Sequence, residues 1–183
     1  MRVEETYLKG CFVITPKVFQ DDRGFFLESF NKLKFEKETG VYTNFVQDNL
    51  SKSSKGVLRG LHFQTGEYAQ AKLVSVIKGK VLDVCVDLRK GSPTFGKHVS
   101  IVLDHLNKKQ LYIPKGFAHG FLVLEDDTIF SYKCDNYYNK ESETGIIYND
   151  IDLDIDWSFS ENQFIISEKD KQLTSFKSHT NEY

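Results

Sequence analysis

The sequence predicts an all-β protein, built as a sandwich or barrel, and three observations support this class. Up to about residue 148, short runs of β-forming residues alternate with turn signals at intervals of about ten residues. Residues 81–88 alternate with a period of two, which is typical of a strand. Helical patterns between the strands are scarce, and parallel strands need long crossovers, so we expect antiparallel pairing. The 183 residues fit one domain, 1–183.

The expected strands follow one another with short breaks between them. Their bounds are residues 11–15, 73–77, 81–88, 98–103, 110–113, 121–124 and 128–133. The breaks contain residues that favour turns, such as Gly79, the run 89–93 and the acidic run 125–127. This spacing of short strands and turns is expected of a sandwich or barrel.

Two short helices are expected beside the strands. The first covers residues 32–39, with Asn31 as its N-cap and Gly40 in the left-handed conformation after its last turn. The second begins at the run 167–170, which resembles a capping box. The last residues, 178–183, are polar, and we expect them to fray.

The composition excludes several classes of function. Lys and Arg number 24 against 26 Asp and Glu, so a net charge of −2 gives no field that attracts nucleic acid or an anionic membrane. No apolar run approaches the roughly 18 residues that suggest a membrane span. The three cysteines, Cys11, Cys85 and Cys134, are far apart, and we interpret them as small buried hydrophobic residues. The first five residues do not resemble a targeting signal, so we expect a cytoplasmic protein.

Two stretches concentrate the polar residues that are able to carry chemistry. In residues 47–64, amides, hydroxyls, Arg59 and His62 surround two glycines, and such density is costly to bury without a ligand. Residues 113–121 form a Pro-x-Gly-x-x-His turn that enters a strand and contains His119. Together they resemble the two halves of the cupin signature. That resemblance implies a double-sheet jelly roll, a double-stranded β-helix, with a few short peripheral helices.

The metal site of many cupins is altered in this sequence. Such sites use a His-x-His pair, a later Glu and the His of the second half, because side chains two apart on a strand point to the same side. Here Gln64 takes the second position of the pair, and a neutral amide is a poor substitute for imidazole. We therefore predict no metal. The alternative is a metal site that uses Glu67 and His119.

Several longer motifs resemble one family. They are the runs 22–26, 56–64, 87–96 and 116–121, then Tyr137-Tyr138, Glu143, Asp156-Trp157 and 167–170. In this order they are similar to the dTDP-4-dehydrorhamnose 3,5-epimerase family over nearly the whole chain. The resemblance implies an isomerase without a cofactor that acts on dTDP-4-dehydro-6-deoxy-D-glucose in L-rhamnose synthesis. It also implies a homodimer in which an N-terminal segment, about 1–50, crosses to the partner, so that Arg23 and Glu28 are expected to complete the neighbour's site. A C-terminal segment, about 150–183, is expected to be peripheral.

The reaction of that family requires three roles. To invert a carbon beside the 4-keto group, a base removes a proton from one face, an acid returns one to the other, and an enolate carries the charge meanwhile. His62 suits the base, because an imidazole changes its protonation near neutral pH. By resemblance, Tyr132 is the acid and Lys72 stabilises the enolate oxygen. Without the resemblance, we would interpret Tyr132 as a core aromatic residue and Lys72 as a solvated charge.

Two carboxylates are candidates for supporting the histidines. By resemblance, Asp170 orients the catalytic His62, and the alternative is that Ser167 and Asp170 only cap a helix. Asp83 is expected to support His119, because a buried carboxylate needs a partner. The remaining histidines, His98, His105 and His179, are expected at the surface.

The diphosphate of a nucleotide sugar favours guanidinium groups. By resemblance, Arg23 and Arg59 contact that part of the substrate, and Tyr138 stacks near the base or sugar. The resemblance also assigns to the site Glu28, Gln47, Asn49, His119, Glu143 and Lys169. From the residues alone, Arg23 is equally explained as a solvated turn residue.

Arg59 and His62 are three positions apart, so on an unbroken strand they face opposite sides. A bulge at Gly60 changes that parity and brings both into one pocket. Without a bulge, we expect only His62 to face the pocket.

Three other functions use the same residues. The first is an epimerase or isomerase that inverts a single carbon or acts on another nucleotide-linked 4-keto-deoxysugar. The second is a metal cupin with oxygenase or isomerase activity, and the third is a sugar-nucleotide binding protein without catalysis.

Overall fold

The computed structural model describes residues 1–179 and consists mainly of β-strands. The strands are β1 (Arg2–Glu5), β2 (Phe12–Thr15), β3 (Val18–Asp21), β4 (Gly24–Leu27), β5 (Gln47–Ser53), β6 (Val57–Gln64), β7 (Lys72–Lys78), β8 (Lys80–Asp87), β9 (His98–Asp104), β10 (Gln110–Ile113), β11 (Phe117–Val123), β12 (Thr128–Cys134), β13 (Glu143–Gly145) and β14 (Ile165–Ile166). The helices are α1 (Lys32–Thr39) and α2 (Glu168–Lys171), with 3-10 turns at Gly66–Tyr68, Glu161–Gln163 and Phe176–His179. The all-β prediction is confirmed.

Two sheets form the body of the fold. The first has the strand order β1-β2-β10-β7-β12-β5, and the second has the order β13-β6-β11-β8-β9. Neighbouring strands within these orders are antiparallel, as predicted, while β14 adds to β6 in parallel. Strands β3 and β4 form a separate hairpin.

The core is divided into three layers. Between the sheets, Val74 and Phe130 of the first sheet pack with Val81 and Phe117 of the second. On the outer face of the first sheet, Phe35 of α1 is fully buried. On the outer face of the second sheet, residues of β6, β8 and β11 pack with residues from the segment 146–176 in a third cluster. Two sheets packed face to face match the predicted jelly roll.

The two faces of strand β8 account for the period of two in residues 81–88 of the sequence. Val81, Asp83 and Cys85 are buried toward the facing sheet, and Leu82 and Val84 are buried under the C-terminal residues. Both faces of this strand are therefore buried. The alternation separates two buried faces and does not separate core from solvent.

Both predicted helices are confirmed, including their caps. The side chain of Asn31 accepts from the Lys34 N–H at 3.1 Å, and Gly40 has φ 70°. The side chain of Ser167 accepts from the Asp170 N–H at 3.1 Å. Neither these helices nor the 3-10 turns within residues 1–179 are long and apolar enough to cross a membrane.

The expectation of surface histidines is wrong for His179, which is only 7% exposed. His98 and His105 are half-buried. His179 is buried because the chain turns back at Phe176–His179 onto the second sheet. Of the end expected to fray, Ser178 and His179 belong to this turn, and residues 180–183 lie outside the described residues. The cysteines are buried thiols, as predicted.

Candidate active site

A cavity of about 660 Å³ lies between the two sheets. The first sheet contributes β5, β7 and β12 to its walls, the second contributes β6, β11 and β13, and the segment 165–170 closes one side. The predicted site residues in its lining are Asn49, Arg59, His62, Lys72, His119, Tyr132, Glu143, Lys169 and Asp170. A smaller cavity of about 110 Å³ shares several of them and adds Gln47 and Tyr138. The fold thus gathers most of the predicted residues at one place.

Strand β6 carries a bulge, which decides between the two alternatives that the sequence left open. His62 lies opposite His119 while Arg59 lies opposite Phe121, so β6 advances three residues where β11 advances two. Arg59 and His62 consequently both line the cavity. Gly60 lies within the bulge with φ 123°, and a Cβ there would come within 2.5 Å of the Gly120 Cα. Glycine is required at this position by the backbone conformation and by the close approach of β11.

His62 and Asp170 form a hydrogen-bonded pair at the cavity wall. The Nε2 atom of His62 lies 2.8 Å from Asp170 Oδ1, and the Gly60 N–H donates to Asp170 Oδ2 at 3.2 Å. Burial opposes the ionisation of Asp170, but the hydrogen bonds from His62 and Gly60 outweigh it and lower the pKa of this carboxyl. Because an ionised carboxylate only accepts, Nε2 of His62 carries a hydrogen, and in the neutral ring Nδ1 is the basic nitrogen.

The contacts of Asp170 agree with both interpretations of the run 167–170, the helix cap and the pairing with His62. The helix cap at Ser167 uses the main-chain N–H of Asp170 and leaves the carboxylate for His62. Capping and pairing with the histidine are therefore compatible.

His119 and Asp83 form a second pair, as predicted. Both oxygens of Asp83 lie within hydrogen-bond distance of His119 Nε2, at 3.0 and 2.9 Å. The Asp83 side chain has no exposed surface, and the His119 ring stacks on Phe130 at a centroid distance of 6.2 Å. This imidazole is consequently fixed in one orientation.

Lys72 and Tyr132 face the cavity from the first sheet. Burial lowers the pKa of Lys72, and nearby Cys134 and Glu143 offset part of this effect. Burial raises the pKa of Tyr132, so the phenol keeps its proton at neutral pH. The Lys72 Nζ lies 5.9 Å from the centre of the Tyr132 ring. A cation and a neutral proton donor therefore stand side by side.

A polar network joins the two cavities. The Tyr138 hydroxyl donates to Glu143 Oε2 at 2.9 Å, and Lys169 forms an ion pair with the same carboxylate. Burial opposes the ionisation of Glu143, but hydrogen bonds from Lys169 and Tyr138 lower its pKa below the usual value. Gln47 accepts from the Tyr138 N–H and donates to Asn49 Oδ1, both at 3.0 Å. The site thus holds fixed charges and amide dipoles at its rim.

Two predicted residues are not in the cavity of this chain. The Arg23 side chain is 89% exposed and pairs with Asp21 at the turn of the β3–β4 hairpin. Glu28 follows the hairpin and pairs with Lys34 at 2.7 Å. The hairpin pairs within itself and is separate from both sheets, so Arg23 and Glu28 lie outside the cavity of their own chain. Their place in a partner's site stays a prediction.

Gln64 has a structural contact where a metal cupin has a ligand. Its amide donates to the Asn139 carbonyl at 3.3 Å and accepts from the Asn139 N–H at 2.8 Å. Glu67 is exposed on a 3-10 turn. Among residues 1–179, no three His, Cys, Asp or Glu side chains are grouped as metal ligands.

The cavity also contains residues that sequence reasoning missed. Ser51, Phe121, Phe130 and Ile166 line it, and the Phe121 and Phe130 rings stack at a centroid distance of 4.1 Å. For Ser51, Phe121 and Phe130, the alternation of side chains along a strand could have predicted this position. Each lies two positions from a predicted site residue on its strand and so shares its face.

Comparison with known proteins gives consistent matches over nearly the full chain. The family model for dTDP-4-dehydrorhamnose 3,5-epimerase matches residues 5–178. The chain is similar to the dTDP-4-dehydrorhamnose 3,5-epimerase of Escherichia coli (strain K12), with 54% identity over 173 residues that cover 94% of this chain and 93% of that protein.

Solved structures agree with this match. The dTDP-4-dehydrorhamnose 3,5-epimerase from Elizabethkingia anophelis NUHP1 is similar with a TM-score of 0.95 and 55% identity, covering 100% of this chain and 99% of that one. The dTDP-6-deoxy-D-glucose-3,5-epimerase from Legionella pneumophila Philadelphia 1, solved in complex with dTDP-4-keto-L-rhamnose, is similar with a TM-score of 0.92 and 49% identity, covering 96% and 93%.

Proposed function

This chain belongs to the dTDP-4-dehydrorhamnose 3,5-epimerase family of isomerases, and we propose that it inverts carbons 3 and 5 of dTDP-4-dehydro-6-deoxy-D-glucose without a cofactor. One observation carries the mechanism: His62 and Tyr132 come from opposite sheets and line the same cavity. A base on one wall and an acid on the other are what inversion through an enolate needs. The product bound to the Legionella relative is of the proposed class.

His62 is the base. The 4-keto group acidifies the hydrogens on carbons 3 and 5, and His62 removes one of them as a proton. The carbon–hydrogen electron pair then moves into an enolate whose charge rests on the keto oxygen. The hydrogen bond to Asp170 fixes the ring and stabilises the imidazolium that forms.

Lys72 stabilises the enolate oxygen. Burial disfavours its lone positive charge, which is why its pKa is lowered. When an oxyanion forms beside it, the cation gains a partner in a site that excludes much of the water. The interaction is therefore stronger with the enolate than with the neutral ketone, which is the requirement for catalysis.

Tyr132 returns a proton to the opposite face of the carbon. Its raised pKa keeps the phenol protonated until the enolate forms. Each inversion leaves a protonated His62 and a deprotonated Tyr132, and exchange with water restores both. Hydrogen from solvent consequently appears at every inverted carbon.

The rim of the site suits the nucleotide. Arg59 and Lys169 provide positive charge for the diphosphate, and Tyr138, 52% exposed, offers a ring for the base or sugar. Asn49, Gln47 and Glu143 supply fixed polar groups beside them. His119, held by Asp83 through Nε2, contributes a rigidly oriented imidazole to the cavity wall.

We also propose that one domain forms from the whole chain, 1–183, and that it acts as a homodimer. The β3–β4 hairpin exposes Phe19, Phe25 and Phe26, which are 51%, 60% and 68% accessible. An exposed apolar surface of this kind is typical of an interface. In the dimer, the hairpin brings Arg23 and Glu28 to the partner's cavity.

Mixed dimers of Arg23→Ala and His62→Asn subunits should regain activity, because one of the two sites then has both native residues. Absence of recovery would exclude an exchanged Arg23.

The reaction is tested by proton exchange in deuterated water. Purified protein and dTDP-4-dehydro-6-deoxy-D-glucose should give product labelled at both carbon 3 and carbon 5, with turnover unaffected by a chelator. Label at one carbon supports the single-carbon epimerase, and loss of turnover with chelator supports the metal cupin. No label, with tight binding of the nucleotide sugar, supports a binding protein.

A further inference from the structure

The C-terminal segment, residues 165–179, is attached to the second sheet at two places, and Asp170 lies between them. At the first, Ile165 of β14 pairs with Val57 of β6. At the second, Thr174 forms a bridge with Ile146, and its carbonyl accepts from the Ile147 N–H at 2.9 Å. The position of Asp170 depends on both attachments, because α2, which carries it, is only four residues long.

His179 secures the second attachment. Its side chain is buried, and Nε2 lies 2.9 Å from the Gly145 carbonyl oxygen and 2.7 Å from Thr174 Oγ1. Because a carbonyl oxygen only accepts, Nε2 carries a hydrogen and donates it to Gly145. The ring also packs edge-on against Phe63 of β6, with centroids 5.3 Å apart. One imidazole therefore joins the segment to β13 and to β6.

The residues that His179 contacts are next to the proposed base. Gly145 is the partner of His62 in the β13–β6 pairing, and Phe63 follows His62 in the chain. A Cβ on Gly145 would lie 2.3 Å from the Leu61 carbonyl oxygen and 3.0 Å from the Leu173 side chain. The segment thus packs directly on the backbone of β13, beside the strand that carries His62.

We propose that His179 is a positioning residue for the epimerase reaction. Through its hydrogen bond to Gly145 it holds the C-terminal segment so that the Asp170 carboxylate stays within hydrogen-bond distance of His62. This inference rests on the proposed roles of His62 and Asp170. His179 touches neither the cavity nor the reacting atoms, and its effect passes through Asp170.

The test compares variants of the full chain in steady-state turnover of dTDP-4-dehydro-6-deoxy-D-glucose. His179→Phe keeps a planar ring but removes the donor, whereas His179→Gln keeps a donor in nearly the same position. We expect kcat to fall about 5-fold with Phe and less than about 2-fold with Gln. His105→Phe is the matched control, since His105 Nδ1 also contacts a glycine carbonyl, that of Gly79 at 3.1 Å, outside both cavities. Its kcat should match the wild type.

The decisive step repeats His179→Phe in an Asp170→Asn background. If His179 acts through Asp170, the substitution lowers kcat less than about 2-fold in the Asp170→Asn background. A loss of folded protein would instead lower kcat by the same factor in both backgrounds. Equal factors, or a wild-type kcat for His179→Phe, would overturn the proposal. Should His179→Phe fail to fold, His179→Met, which also removes the donor but has a flexible apolar side chain, takes its place.

A second readout does not need turnover. In protein labelled with ¹⁵N-histidine, the His62 Nε2–H resonance reports its hydrogen bond to Asp170. That resonance should shift in His179→Phe and stay in place in His105→Phe; an unchanged resonance contradicts the positioning role. A shift in a protein that does not epimerise the substrate would instead contradict the proposed function.

Discussion

The two histidine–carboxylate pairs are chemically alike and differ in access. Both join Nε2 to a carboxylate oxygen at 2.8 to 2.9 Å, and His62 and His119 lie opposite each other on β6 and β11. The His62 side chain is 27% exposed at the cavity, whereas His119 is 8% exposed and Asp83 is fully buried. Both imidazoles line the cavity, and the larger exposed fraction of His62, not the pair itself, favours it for proton transfer.

The carboxylates also differ in origin. Asp83 comes from β8, the strand beside β11 in the same sheet, so the pairing of the strands sets its position. Asp170 comes from the C-terminal segment, 108 residues from its histidine. We expect changes at the first pair to act mainly on stability and changes at the second mainly on turnover.

The largest expected effect is on turnover, from His62→Asn. Removal of the proposed general base should lower kcat at least ~100-fold, since that is the lower end of what such a group contributes. His119→Asn, which removes the imidazole of the buried pair, should lower kcat less than ~10-fold. Steady-state kinetics of both variants check this. Equal losses would show that the buried imidazole also takes part in proton transfer.

The next effect is on stability, from Asp83→Asn. The substitution removes a charge that the buried His119 uses as its partner, and we expect the free energy of unfolding to fall by about 2 kcal/mol. Asp170→Asn, at the accessible pair, should cost less than about 1 kcal/mol. Urea denaturation measures both. A larger loss for Asp170 would reverse the assignment of structural and catalytic pairs.

A smaller effect on turnover is expected from Asp170→Asn. The amide no longer stabilises the imidazolium of His62, and kcat should fall about 10-fold, less than for loss of the base itself. Ser167→Ala is the control, because it removes the helix cap and leaves the carboxylate in place. It should lower stability by about 1 kcal/mol and lower kcat less than about 3-fold, because the cap also helps to hold α2. A kcat loss in Ser167→Ala as large as in Asp170→Asn would mean that the cap, and not the carboxylate, matters.

The smallest effect concerns pH. The pKa of Asp170 is lower in the folded protein than its unfolded value of about 3.9. Its contribution to stability is therefore present above about pH 4 and is lost as the pH falls through the folded value. The stability difference between wild type and Asp170→Asn should close below pH 4, as followed by denaturation at several pH values. A constant difference down to pH 3 would contradict an ionised Asp170.

Local patterns gave reliable predictions where residues close in sequence decide the structure. Helix α1 begins after Asn31 and ends before Gly40 as predicted, because its caps act over one turn. Strand β10 has the predicted bounds, since its residues are buried on both faces. Strand β5 was not predicted, because Gln47, Asn49 and Ser51 alternate as polar residues that line a cavity instead of a core.

The candidate site followed from sequence only in part. The resemblance supplied Tyr132 and Lys72, which residue type alone would leave in the core or in solvent. One wrong expectation, His179 at the surface, and one that stays a prediction, Arg23 and Glu28 in the partner's cavity, have the same cause. Each depends on where a hairpin or a chain end packs, and no local pattern encodes that packing.

The sequence by itself determined the β class, the helix caps and the identity of the groups available for chemistry, because these depend on side-chain type and short-range spacing. Only the tertiary structure decided that Gly60 shifts the register of β6 against β11, which turns Arg59 and His62 to one side. It alone decided that Asp170 meets His62 across 108 residues. Contacts between distant segments are selected by the burial of whole faces and by the pairing of backbones, and these are properties of the assembled sheets.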